Sequence, residues 1–223
     1  MGPLVIQCFR HGESFANAGL VSLSPGTVPL TDAGVAQAHA IARSFVAAPE
    51  AIICSPYDRS QKTAEPTSAR YPGAPLSVWP IHEFTFLAPE RHTGTTAEIR
   101  SPFVERYWER GDPHYVDGEG AESFAGFMNR VEGSIARFSE LRRNGVKSVA
   151  LFGHGLWLLA FQLMVEAGEI DIHDPAVMAL LRSRSQTSAI PNGKGLVATF
   201  DGQRWAIAAM TLDPGTDQQR GGS

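Results

Sequence analysis

The chain is poor in cysteine, with two among 223 residues, Cys8 and Cys54, and both sit in short apolar runs, Leu4 to Phe9 and Ala51 to Cys54. A disulfide framework is excluded, and buried free thiols in a reducing compartment, the cytoplasm, are expected. A basic surplus is also missing: 19 Lys and Arg against 23 Asp and Glu leave a formal net charge of -4. Nothing here neutralises a long run of phosphates, so no nucleic-acid partner is expected. No apolar run approaches the ~20 residues that cross a bilayer, and no basic region precedes a long apolar stretch at the start. We therefore expect no membrane partner and no secretory leader. Metal-ligand spacing is absent too, since His82, His92, His114 and His173 fall in no Cys-x-x-Cys or His-x-x-x-His pattern, and no metal is expected. No Gly-x-Gly-x-x-Gly word follows a strand, no repeat is visible, and no cofactor is called for.

What is present is 43% hydrophobic residues over a length that supports a substantial core. Apolar strand-like runs alternate with amphipathic stretches, the pattern of a three-layer α/β/α fold with a mostly parallel central sheet. Leu4 to Phe9 opens it as a strand. Thr31 to Ala48 sets Val35, Ala38, Ile41, Ala42, Phe45 and Val46 at helical spacing, with Thr31 or Asp32 as cap. Ala51 to Cys54 is a second strand, and Pro56 suits the start of a helix reaching about Arg70. Between 71 and 120 the prolines at 72, 75, 80, 89, 102 and 113 break the periodicity, so short elements and a lid-like excursion are expected. Ser123 to Asn144 is a long helix ended by Asn144-Gly145. Lys147 to Phe152 is a buried strand, and Leu156 to Val165 is apolar almost all round. Asp171 and Asp174 near Pro175 read as helix-start chemistry. Gly195 to Phe200 and Arg204 to Ala209 flank Asp201-Gly202-Gln203, a hairpin signal. One domain over 1–212 followed by a flexible tail, 213–223, is the expected organisation.

Three strand ends carry the chemistry. Arg10-His11-Gly12-Glu13 follows the first strand, Ser55-Pro56-Tyr57-Asp58-Arg59 follows the second, and Gly153-His154-Gly155 follows the buried strand near 150. In an open sheet such ends lie where ligands bind. A neutral imidazole beside guanidinium groups is a nucleophile toward phosphorus, because nearby positive charge lowers its pKa and frees the attacking nitrogen. The guanidiniums also match phosphoryl oxygens in shape and charge. Displacement at phosphorus further needs a proton for the leaving oxygen.

These blocks, with Leu30-Thr31-Asp32-Ala33-Gly34-Val35-Ala36-Gln37-Ala38 after the first, resemble the histidine phosphatase superfamily, which includes cofactor-dependent phosphoglycerate mutases and many small phosphatases. The resemblance runs from Leu4 to about Val165. It implies that His11 becomes phosphohistidine, that Arg10 and Arg59 clamp the phosphoryl group, and that His154 is the second histidine of the phosphate pocket. Ser14 and Asn17 match polar positions after the Arg-His-Gly word, and they and Gly155 are phosphate- or substrate-binding candidates. The family acid follows a later strand, which points to Glu83, with Glu90, Glu98 and Glu122 as rivals. Phe84 to Thr96 departs from the family's usual Gly-x-Trp-Glu-Gly-like segment.

The implied activity is metal-independent hydrolysis of a small-molecule phosphomonoester, or of a phosphoprotein. Phosphoglycerate mutase-type transfer and a non-catalytic phospholigand-binding module of the same fold are the alternatives. Phe84, Phe86, Arg91 and His92 are the candidates to face the pocket from the excursion, whereas Tyr107 and Trp108 read as core.

Overall fold

The computed structural model describes residues 2–21 and 24–210. The tail expected over 213–223 lies outside them. Six strands form one sheet: β1 (Leu4–Arg10), β2 (Ala51–Cys54), β3 (Leu76–Val78), β4 (Ser148–Gly153), β5 (Gly195–Phe200) and β6 (Trp205–Ala209). Their order is β3-β2-β4-β1-β5-β6. The first four in that order are parallel, while β5 and β6 complete the edge as the expected antiparallel hairpin.

Side chains leave a strand on alternate faces, so a central strand covered on both sides must be apolar at successive positions. In β4, Val149 and Leu151 belong to one buried cluster, and Ala150 and Phe152 belong to another. In β1, Ile6 and Cys8 fall in the first cluster and Phe9 in the second. The second face is covered by α1 (Asp32–Ser44) and α2 (Asp58–Arg70), which contribute Ile41 and Ala64 to its cluster. The first face is covered by α4 (Phe124–Arg143), α5 (Gly155–Ala167) and α6 (Pro175–Thr187). Phe152 is fully buried and stacks on Phe9 with centroids 5.5 Å apart. Truncating a phenylalanine so placed costs about 3–5 kcal/mol.

Side-chain caps begin several helices. Thr31, Ser123 and Asp174 each cap a helix by accepting from a backbone N–H two or three residues on. Both cysteines are buried and free. No helix among the described residues is long and apolar enough to cross a membrane, and no group of metal-ligating side chains gathers among them.

Other elements differ from expectation. The first helix ends at Ser44, with Phe45 in extended conformation. Val46 is fully exposed and Val35 half exposed, so apolar spacing overstated the core-facing stripe by one residue at each end. The 71–120 segment holds a full helix, α3 (Ala97–Arg110), where the prolines argued for short pieces. Pro102 lies inside α3; it lacks the N–H that would bond to the preceding turn, yet its fixed φ is helical. The cap of Thr96 on Ile99 and the left-handed Gly111 at the far end set the helix bounds.

Candidate functional site

The parallel register explains why residues far apart in sequence meet. Arg10 of β1 pairs with Gly153 of β4, and Cys54 of β2 pairs with Phe152 and Val78. All four strands therefore end on one edge of the sheet, and the residues that follow them emerge side by side. His11 leaves β1, Arg59 sits in the first turn of α2 after β2, His154 leaves β4, and Glu83 follows β3. The His11 and His154 rings lie 5.1 Å apart between centroids.

The turn carrying His11 is tightly held. Gly12 presses on the backbone of Gly34 in α1, and Gly34 on that of Glu13, so a Cβ at either position would collide with a carbonyl. The Gly12 N–H donates to Thr63 Oγ1 at 3.0 Å, and that hydroxyl donates to Arg59 O at 2.6 Å. From the loop before β5, Asn192 Nδ2 donates to His11 O at 3.0 Å and to Asn17 Oδ1 at 3.1 Å. Asn17 Oδ1 also accepts from Ser14 N and Oγ.

Hydrogen bonding fixes the imidazole tautomer of His11. Its Nδ1 lies 2.7 Å from Gly12 O, and a carbonyl only accepts, so the proton resides on Nδ1. Nε2 then bears the lone pair, which accepts from Arg59 Nε at 3.0 Å. Burial first, and then the Arg59 charge, hold the ring well below the ordinary histidine range; the bond to Gly12 opposes this and Arg10 adds to it. His11 is therefore a neutral imidazole with an oriented lone pair.

His154 is fully buried behind it and is not itself part of the cavity wall. Ser55 Oγ accepts from Tyr57 N and shares a hydrogen bond with His154 Nε2 at 2.8 Å. The other ring nitrogen, Nδ1, is buried and has no hydrogen-bond partner among the described residues. Burial, then Arg59 and His11, keep this ring neutral as well.

Arg59 is 8% exposed, and burial brings its pKa down to about 10. The Tyr57 ring stacks under its guanidinium at 5.0 Å. Arg10 Nη1 donates to Ile190 O at 2.6 Å, and its buried Nε has no partner among the described residues. Gly155 lies outside the cavity wall, and a Cβ there would meet the Arg10 guanidinium at ordinary van der Waals distance, so the position does not require glycine to accommodate Arg10.

The Glu83 carboxylate sits at the N-terminus of α5. Oε1 accepts from Leu156 N at 3.1 Å and Trp157 N at 3.3 Å, and Oε2 from Leu156 N at 3.3 Å. A carboxylate is favoured there by orphan amides and the helix dipole. Of its rivals, Glu90 and Glu98 are exposed and Glu122 is paired with Arg130 at 2.6 Å. Only Glu83 among the four reaches the cavity at the strand ends, whose volume is about 180 Å³.

Arg10, His11, Ser14, Asn17, Arg59 and Glu83 all line that cavity. From the excursion, Phe84 and His92 line it, whereas Phe86 packs among Tyr107 and Trp108, and Arg91 pairs with Asp117 at 2.6 Å and does not line it. Sequence reasoning missed Tyr57, Asn192 and Arg100. Asn192 lies 181 residues from the turn it holds, and no local pattern marks such a contact. Arg100 sits in the unforeseen helix α3. A neutral nucleophile, two guanidiniums and a carboxylate around one cavity can accept, transfer and release a tetrahedral anion.

The chain belongs to the histidine phosphatase superfamily, whose branch 1 model matches residues 6–210. No curated protein sequence matches it significantly. Among solved structures it is similar to a putative alpha-ribazole-5'-phosphate phosphatase from Escherichia coli, with TM-score 0.73 and 20% identity over 93% of this chain and 96% of that one. It is also similar to mycobacterial glucosyl-3-phosphoglycerate phosphatase, with TM-score 0.64 and 20% identity over 95% and 99%. A phosphoserine phosphatase from Entamoeba histolytica matches with TM-score 0.67 and 18% identity over 95% and 98%. At such identities the shared property is the fold.

Proposed function

We propose that this protein hydrolyses phosphomonoesters through a phosphohistidine on His11. The observation that carries this reading is the tautomer of His11: its Nε2 lone pair is oriented into a cavity beside Arg10 and Arg59. In the first step Nε2 attacks phosphorus, the bond from phosphorus to the ester oxygen breaks, and Glu83 gives that oxygen its proton. Arg59 exchanges its bond to Nε2 for a phosphoryl oxygen, with Arg10 beside it, while His154, its ring 5.1 Å from that of His11, backs the nucleophile from outside the cavity wall. In the second step water attacks phosphorus, gives its proton to Glu83, and the bond to Nε2 breaks to release inorganic phosphate. Neither step calls for a metal or a cofactor. The named neighbours, themselves phosphatases, support hydrolysis of small-molecule phosphate esters.

Rapid quench with a labelled phosphate donor tests this directly. The reading expects label to partition to water when 3-phosphoglycerate is offered as acceptor, and His11→Ala to abolish turnover. Transfer of label to the acceptor would identify a mutase, and binding without turnover a phospholigand-binding module.

A further inference from the structure

The cavity holds one more cation than transfer of a phosphoryl group requires. Three guanidiniums line it, Arg10, Arg59 and Arg100, against a single carboxylate, Glu83. Arg10 and Arg59 match the two charges of the phosphoryl group, so Arg100 is the cation that the group leaves over. Arg100 comes from α3, away from the strand ends that carry the other two.

Arg100 is 8% exposed and forms no ion pair among the described residues. Its Nη1 donates to Thr95 O and Thr95 Oγ1, both at 2.9 Å. Those two bonds fix the plane of the guanidinium, while Nε and Nη2 keep their hydrogens free of any protein acceptor among the described residues. A buried, unpaired charge is costly unless an anion completes it. His92, also on the cavity wall, does not supply one: burial, and then the charges of Arg100 and Arg59, bring its pKa down to about 4, so it stands as a neutral imidazole within the field of both.

Resting on the phosphatase reading above, we propose that Arg100 binds a second anionic group on the substrate, a carboxylate or a second phosphate, and so selects phosphomonoesters that carry one. The free edge of the guanidinium, Nε with Nη2, presents the parallel pair of donors that either oxyanion accepts.

The test uses matched substrates that differ in one anionic group. 3-Phosphoglycerate is compared with glycerol 3-phosphate, and propane-1,3-diol bisphosphate with its monophosphate. In at least one pair the wild type should favour the anionic member by about tenfold in kcat/KM, the scale of one charged hydrogen-bonded contact. The pair that shows the preference says which group is bound. Arg100→Gln should bring that ratio to within about threefold, mostly through KM, and Arg100→Lys should keep part of it. Equal loss on both members of a pair would show that Arg100 only supports the fold through Thr95, and would overturn the proposal, as would absence of preference in both pairs. The same pairs are titrated calorimetrically into His11→Ala. A preference there without turnover by the wild type would defeat the phosphatase reading and leave the second anion site standing.

Discussion

Arg59 Nε donates to His11 Nε2 across 3.0 Å, so the lone pair that would attack phosphorus is engaged by a group that would bind the phosphate. The contact does two things at once. It holds the imidazole in its ring plane, and its charge is the second cause, after burial, of the lowered His11 pKa. When an anion arrives, the guanidinium has a stronger acceptor and the lone pair is released at the reacting atom.

Arg59→Gln removes that charge. The His11 titration midpoint, followed by NMR of labelled imidazole, should move up toward the ordinary ~6.5. kcat/KM should fall by about 10²–10³, the scale for losing one oriented donor to transition-state charge. An unchanged midpoint would show that burial alone keeps His11 neutral.

Glu83 is tested by the leaving group. Glu83→Gln preserves an acceptor for the Leu156 and Trp157 amides while removing the transferable proton. kcat/KM should fall by about 10²–10⁴ for an alkyl phosphate, and much less for p-nitrophenyl phosphate, whose phenolate leaves without help. Equal losses on both would mean that the carboxylate positions α5 and carries no proton.

Four histidines are held neutral, and their signs agree. His82 and His92 are brought down to about 4, chiefly by burial, and His11 and His154 are lowered for the same leading reason. A folded pKa below the unfolded one means that the unfolded chain binds more protons. The stability they contribute is therefore full above about pH 6.5 and is lost as pH falls toward 4. The thermal midpoint should decline across that window, and His82→Gln should flatten the decline. A midpoint constant from pH 6.5 to 4.5 would contradict it.

Gly34 tests the scaffold under the nucleophile. A Cβ there meets the Glu13 carbonyl, and both partners are backbone, so neither yields easily. Gly34→Ala should cost about 1–3 kcal/mol by overpacking and should lower activity by displacing the His11 turn. Thermal unfolding and kcat/KM measured on the same preparation check both. Full activity at wild-type stability would refute the packing argument.

The fold was readable where the pattern is local. β1, α4 and the β5–β6 hairpin show their period and their stop signals in a single window. The convergence of Arg10, His11, Arg59 and His154 was readable because each follows a strand, and parallel strands deliver their ends to one edge. Glu83 was one of four carboxylates until tertiary packing placed it on α5. α3 was hidden because Pro102 counts against a helix in sequence but is tolerated in one that is capped at both ends. Val35 and Val46 show the reverse case, apolar residues at helical spacing left exposed. Phe86 and Arg91 were assigned to the pocket by adjacency alone; aromatic packing took the first, and Asp117 the second. Asn192 acts over a sequence separation that no periodicity spans.

The central claim is that phosphate passes through a covalent bond to His11 Nε2. Acid-free quench of the enzyme with a labelled phosphomonoester, followed by peptide mapping, measures it. The account predicts up to one label per chain, on His11, labile to acid and stable to alkali, formed and lost at rates that match turnover. Full turnover with no labelled enzyme, or label on a different residue, would contradict it.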